Sequence, residues 1–461
     1  PYRRQRQMCI RDRTNGPKHH LFGFHDLLIS NGNNDKFLSL EVDTINRPPL
    51  PCELFGVGYV KEGRYLRIGE TTALNYPQGA RQQWVGETDY FTVNNRVGDI
   101  WGTDLYDTDS NQLIDRFAAT THMLSKDGKY AYGLDYARLF RLGGYGYCGI
   151  DDKGANDAVP MDSGITKMNL QTKEISLLES VKQVAECGVK SIAGISHHYL
   201  THLCLNPSNT RVAFLHRYFM SDGGMMTRLM TVGVDGTELR CLAQGFLSHF
   251  DWQNDDTIYI FGRANSSIDA IRNNPILSHP LMQKPMRLAK KVVKSILNYG
   301  SAGGVVNSGK SFLLIKDSEQ PAITPFAQGL IVEDGHPMTN PLNSDWCVND
   351  TYPNSEGIRT LMLYQFSENH RIDLGLFKMI FDRPDMSLKD NFFERVDPKI
   401  LSSITPEDLA FTRSGLHCDL HPRWSRDGRW VLFDSIHEGT RQLYAVDVLS
   451  LIHISEPTRQ E

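Results

Sequence analysis

The stretch His421-Pro-Arg-Trp-Ser-Arg-Asp-Gly-Arg-Trp-Val-Leu-Phe-Asp-Ser435 reads as an extended segment, a tight turn at Arg426-Asp427-Gly428 and a second strand from Trp430 to Phe433. Asp-Gly supplies the left-handed backbone that a short hairpin requires. A third strand, Gln442-Leu-Tyr-Ala-Val-Asp447, follows a polar loop. Strands of this length joined by short turns are the unit of a β-propeller blade.

The same text recurs upstream. His122-Met-Leu-Ser-Lys-Asp-Gly-Lys-Tyr-Ala-Tyr-Gly133 is a second copy, and Leu203-Cys-Leu-Asn-Pro-Ser-Asn-Thr-Arg-Val-Ala-Phe-Leu215 is a third. His249-Phe-Asp-Trp-Gln-Asn-Asp-Asp-Thr-Ile-Tyr-Ile-Phe261 and His336-Pro-Met-Thr-Asn-Pro-Leu-Asn-Ser-Asp-Trp346 come next, with weaker copies near Gln82 and His25. Recurrence on this scale marks a repeat architecture. Copies starting near residues 25, 82, 122, 202, 249, 336 and 421 predict an all-β fold, a seven-bladed β-propeller over 14–449. A unit of about 62 residues exceeds the roughly 40–50 of compact propeller repeats. The excess falls in loop and short helical insertions at 143–164, 264–308 and 378–414. In the second of these, Leu281–Leu297 reads as a basic amphipathic helix capping one face.

The chain has 461 residues, 40% of them hydrophobic and 22% charged, with a net charge of −5. That apolar mass suffices for a packed core and excludes disorder, collagen and coiled coil. The mild acidity offers no global basic field to nucleic acid. No apolar run reaches the roughly 18 residues a membrane span needs. Residues 1–13 and 450–461 carry no hydrophobic pattern and resemble translated sequencing-adapter text, so they are set outside the fold. Without Cys9, seven cysteines remain, scattered and with no CxxC pair. They read as small core residues of a reduced compartment, which places the protein in the cytoplasm.

Aligning the copies on Ser425 gives Asn206, Gln253 and Asn340 as its counterparts. Four positions before each stands a histidine: His421, His202, His249 and His336. In the 122 copy that place holds Thr121. Innermost strands line a propeller's channel and equivalent positions share a height, so these four imidazoles are expected to converge on the axis. Neutral imidazoles meeting beside a carboxylate form a divalent-metal site. Extended alternation puts His417, Asp419 and His421 on one face, making Asp419 a ligand or an imidazole's partner. The other histidines, His19, His20, His122, His197, His198, His216, His279 and His437, read as surface or packing residues, with His197 and His198 also placed to line a loop leading to the channel.

A second constellation is Asp135-Tyr-Ala-Arg-Leu-Phe-Arg-Leu-Gly-Gly-Tyr-Gly-Tyr147. Arginine forks suit carboxylates, and tyrosines stack on sugar faces, so Arg138, Arg141, Tyr145 and Tyr147 are candidates to grip a sugar acid. Arg81 is a similar candidate in the second copy. The competing reading pairs these arginines with aspartates between blades.

With its Gln78-Gly-Ala-Arg-Gln-Gln-Trp84, Gly144-Tyr-Gly-Tyr147 and Asp419-Leu-His-Pro-Arg-Trp-Ser425 segments, the chain resembles oligogalacturonate lyase and the related TolB-like seven-bladed propellers over most of 20–448. In that cytoplasmic family a manganese ion on the axis is held by three histidines and a glutamine, and a further histidine and an arginine serve the reaction. The resemblance implies His249 and His421 as metal ligands and His202 as the base. The family's third metal histidine falls on Asp419 here, its glutamine falls on Leu416, and His336 or His417 is available to fill the vacancy. The activity so implied is that of a Mn2+-dependent lyase cleaving uronic-acid-containing oligosaccharides by β-elimination. His249, His336, Asp419 and His421 surround its metal, Arg138 and Arg141 act at the sugar, and Arg81, Tyr145 and Tyr147 bind substrate. The alternative class is a non-catalytic, WD40-like propeller that binds a saccharide or a protein, linked to cell-surface polysaccharide synthesis. The aligned histidines favour the first class and the missing glutamine the second.

Overall fold

The computed structural model describes residues 10–188, 197–220, 224–264, 309–380, 382–387, 393–402 and 404–452; the helix expected at Leu281–Leu297 lies outside them. The described chain is mostly strand, folded into antiparallel sheets that succeed one another along the sequence. The first joins His19–Leu21, Lys36–Val42, Phe55–Lys61 and Arg64–Thr71, and the second joins Gln83–Trp84, Tyr90–Val97, Ile100–Asp107 and Gln112–Phe117. The third joins Met123–Leu124, Tyr130–Gly133, Gly164–Asn169 and Ile175–Ser180. A seven-stranded sheet then runs from His198–Leu205 to Ile323–Phe326. Its thirteen-residue strand Arg240–Trp252 pairs through its first half with Met225–Gly233 and through its second with Thr257–Ala264. The next sheet runs from Met338–Thr339 to His370–Lys378, and the last holds Arg423–Trp424, Trp430–Ser435 and Gln442–Asp447.

The Ser425 turn is built as its residues require. Ser425 Oγ lies 2.5 Å from the Asp427 carboxylate and accepts from Trp430 N at 2.9 Å, while Gly428 takes a φ of 64°. Ser125, Asp127 and Gly128 repeat the arrangement at 2.6 Å, 3.0 Å and 69°. Asn206 and Asn31 substitute an amide oxygen for the hydroxyl, with Asn209 and Asn34 as the left-handed residues. Asparagine is among the few side chains that accept that backbone. A second repeated device ties neighbouring inner strands: the indole N–H groups of Trp84, Trp252 and Trp424 donate to the carbonyls of Ile29, Cys204 and Met338 at 2.9, 3.0 and 3.0 Å.

The N-terminal segment joins the last sheet. Ile10–Asp12 forms the outer strand of the last sheet, with Ile10 opposite Val446, and Arg13 N donates to Leu443 O at 2.9 Å. Adding a strand needs only backbone hydrogen bonds and covers an exposed sheet edge, so it is open to a segment without hydrophobic pattern. At the other end Leu449–Ile452 is helical, and Leu451 and Ile452 pack partly against the cluster of Val446 and Val448. Buried charge ties last sheet to first: Asp434 meets Arg423 and Arg441, accepts from Phe22 N at 3.3 Å, and Arg441 reaches Tyr76 O at 3.2 Å.

The 378–414 insertion is a strap. Asp385 N donates to Asn46 O at 2.7 Å beside the first sheet, and Asp397 N donates to Arg141 O at 2.9 Å on the third. Ile400 and Leu409 then join Tyr136, Leu139 and Leu142 in one apolar cluster. The strap's helices are α3 (Pro398–Leu401) and α4 (Pro406–Arg413), preceded in the chain by α1 (Tyr136–Arg141) and α2 (Val181–Glu186). Thr405 caps α4 by accepting from Asp408 N at 3.1 Å, with proline in its first turn where no donor is needed. The seven described cysteines are unpaired, and no helix among the described residues is long and apolar enough to cross a membrane.

Candidate metal centre

The four aligned histidines leave regular strand geometry to reach their common point. Pairing slips between Thr201 and Cys204 and again between Leu247 and Phe250, so His202 and His249 each sit in a bulge. His202 takes a φ of 58° and His421 one of 42°. Bulges re-aim side chains, and a left-handed non-glycine residue persists only where its surroundings hold it.

The imidazoles converge. Ring centres lie 6.4 Å apart for His202 and His249, 4.2 Å for His249 and His336, and 4.3 Å for His336 and His421. Phe24 touches all four, from 5.0 Å at His421 to 6.2 Å at His336. His336, Asp419 and His421 offer donor atoms within 4.8 Å of one another. Asp419 Oδ2 stands 3.7 Å from His421 Nε2, 3.7 Å from His417 Nδ1 and 3.9 Å from His336 Nε2. Those are separations that ligand atoms reach around one shared ion with bonds of about 2.1 Å.

Each ring is fixed through the nitrogen facing away from the others. His202 Nδ1 meets Thr201 Oγ1 at 2.9 Å, and His249 Nδ1 meets Asp334 at 3.2 Å and Ser248 Oγ at 3.1 Å. His336 Nδ1 lies 2.8 Å from the Asp350 carboxylate, and His421 Nδ1 donates to Gly23 O at 2.9 Å. Among the described residues no Nε2 of the four makes a hydrogen bond. Anchoring one nitrogen on a carboxylate or carbonyl while the other stays open is how proteins prepare a metal-binding histidine. Imidazole nitrogens with one carboxylate suit a borderline-to-hard divalent ion, so the residues present fit the group.

Burial, helped by Arg217, holds His202 well below the usual imidazole value, and burial does the same to His421. Burial also depresses His336, but Asp350 and Asp419 outweigh it and leave that ring raised. For Asp419, burial pushes the carboxyl up, yet His417, Arg359 and the neighbouring rings hold it well below the carboxylate range. Arg359 Nη2 is 2.6 Å from Asp419 Oδ1.

Other expected residues stand elsewhere. Arg81 is fully buried and forks onto Asp26 at 2.8 and 3.0 Å while donating Nε to His122 O at 2.9 Å. Arg138 is taken up by the carbonyls of His198, Gly154, Asp157 and Ala158, and Arg141 by Asp152 at 2.7 Å and Asp397 at 3.2 Å. Their donors go to backbone carbonyls and aspartates. Tyr147 stacks on Tyr136 at 4.3 Å in the core. Tyr145, two residues earlier, does reach the site, 5.8 Å from His202. Sequence reasoning missed Phe24, His25 and Tyr352. His25 is 1% exposed, its ring centre is 5.6 Å from His336, and neither ring nitrogen makes a hydrogen bond. Its signal lay in the weakest copy, where the inner strand is interrupted by a loop. His122, His198 and His216 are buried packing residues, as expected.

No known protein family and no curated protein sequence matches this chain. Solved structures do. Oligogalacturonate lyase from Vibrio parahaemolyticus aligns over 96% of this chain and 94% of its own, with a TM-score of 0.55 at 11% identity. An oligogalacturonate lyase in complex with manganese aligns over 95% and 92%, with a TM-score of 0.54 at 11% identity. TolB from Acinetobacter baumannii, at a TM-score of 0.33 over 75% of this chain, adds nothing to the argument. The resemblance read from the sequence thus holds at the level of fold: the chain has the propeller-like fold of the oligogalacturonate lyases.

Proposed function

We propose that residues 10–449 form one seven-bladed propeller, the long sheet supplying two blades through the strand they share, and that its axis carries a divalent-metal lyase site. The observation that supports this most is the pair of open Nε2 atoms on His336 and His421 beside Asp419, with the His249 ring against His336 and all three Nδ1 atoms anchored. These four residues would hold the ion, Mn2+ by likeness to the manganese complex, with His417 beside them. When bound, it would neutralise a sugar carboxylate and acidify the adjacent C–H.

His202 stands apart from the tight cluster, is neutral at pH 7, and keeps Nε2 open, the form and the atom a general base needs. Thr201 Oγ1 holds the ring through Nδ1. The C5 proton passes to His202 Nε2, its electron pair forms the C4–C5 double bond as the C4–O bond breaks, and the released oxygen takes a proton from solvent, giving β-elimination of a uronic-acid-containing oligosaccharide. The alternative, a non-catalytic propeller binding a saccharide or a protein, is favoured by one contact: Asp419 already has a guanidinium against it. Metal analysis of the purified protein, beside the ultraviolet absorbance of a new C4–C5 double bond on uronate oligosaccharides, separates the two. Metal without absorbance on any uronate would leave the binding reading standing.

A further inference from the structure

Arg141, one of the arginines that the sequence put at the sugar, is half of a clasp. Arg141 joins Asp152 to Asp397, and Arg395 meets Asp151 at 2.5 Å, so the loop after α1 and the strap are locked together. What the clasp presents is Tyr145 from the loop and Arg413 from the last residue of α4. The Arg413 guanidinium lies over the Tyr145 ring at 5.2 Å, and one Nη2 donates to Gly143 O. Its Nε and Nη1 donate to nothing among the described residues. Tyr145 in turn meets His202 edge-on. Arg217 belongs to the strand Arg211–Phe219, opposite Tyr199 on the strand that carries His202, and its Nε is buried without a hydrogen bond. Its charge is felt at both His202 and Tyr145.

We propose that Arg413, stacked over Tyr145 beside His202, and Arg217, on the strand paired with that of His202, form the acid-recognising side of the site and grip a carboxylate of the ligand. Two guanidinium groups with open donors are matched to planar carboxylates, and a half-buried setting strengthens the contact. The identity of that ligand as a uronate rests on the function proposed above; the recognition of an anion does not.

The test uses full-length protein incubated with Mn2+, its metal content measured, and disaccharides of galacturonate and of glucuronate, each beside its neutral methyl ester, with binding read by calorimetry. Wild type should prefer the acid of at least one pair by roughly tenfold or more, the worth of a charge-assisted contact. Arg413→Met and Arg217→Met should erase most of that preference while ester binding and metal content stay unchanged. Arg413→Lys should keep part of it. A merely structural role would depress acid and ester alike. Equal acid preference in both Met variants, or no preference in wild type, overturns the proposal. Loss of preference in a protein that takes up no metal and forms no double bond would instead sink the lyase reading and leave this one intact.

Discussion

Arg81 and His421 occupy one position of the repeat, each four residues before the turn, and both adopt a left-handed backbone, with φ 53° and 42°. Their chemistry is opposite. Arg81 is closed on itself: its fork meets Asp26, its remaining donors meet His122 O, and no polar atom is left for a visitor. His421 is satisfied through one nitrogen and open through the other, as are His202, His249 and His336. A guanidinium carries its charge at every accessible pH and must be neutralised when buried. A neutral imidazole can be buried on a single hydrogen bond and still present a lone pair. The fold therefore offers a series of equivalent places, and side-chain chemistry divides it into a closing arc and an arc that keeps ring nitrogens open.

If that division is right, each arc can be broken alone. The largest expected effect is on metal content: His336→Ala and His421→Ala should each abolish uptake measured by elemental analysis, whereas Arg81→Met should leave the stoichiometry unchanged. Uptake surviving both histidine losses would erase the distinction. Next, Arg81→Met should cost about 3–5 kcal/mol in chemical denaturation, because it strands Asp26 in the interior. A neutral result would show the closing arc to be dispensable. Asp350→Asn should weaken metal affinity by roughly ten- to a hundredfold, as expected when a ligand's supporting carboxylate is removed. Unchanged affinity would demote His336 from the ligand set.

The gentlest expected effect comes from pH. His25, His122, His202, His216 and His421 are all held below the usual imidazole value by burial. The unfolded chain then binds more protons than the native one just under about pH 6.5. Stability of metal-free protein is full above that value and falls as the pH drops, by about 1.4 kcal/mol per unit for each differential proton. His336, shifted upward, contributes oppositely, with stability present below pH 6.5 and lost above it. His19, His20, His197 and His417 are lowered likewise, while Glu179 and Asp251, each raised to about 6 by burial, side with His336; nine groups oppose three, so acid should destabilise. Denaturation midpoints that rise on going from pH 7 to 5.5 would refute the balance.

Much of the ring was legible in the chain. Four histidines at one offset from the Ser425 turn predicted one meeting point because a blade repeat converts sequence offset into height. Alternation along His417, Cys418 and Asp419 placed the carboxylate beside His421, at the observed 3.7 Å. The acid-recognising side was not legible, because Arg138 and Arg413 are both arginines near a glycine-rich loop and nothing local says which one is already partnered. Arg138 ends among four carbonyls, two of them from a loop some twenty residues on.

By itself the sequence determined the repeating strands, the turns and the shared position of His202, His249, His336 and His421. Hairpin chemistry and two-residue alternation are local, and a repeat needs no distant contact to declare itself. Only the tertiary structure decided which polar groups pair with one another. Arg81 found Asp26 fifty-five residues away, Arg141 found Asp397 at a separation of 256, and Arg413 reached Gly143 at 270. Burial forces every such group to find a partner, and which partner is set by the packing of sheets that no local pattern encodes.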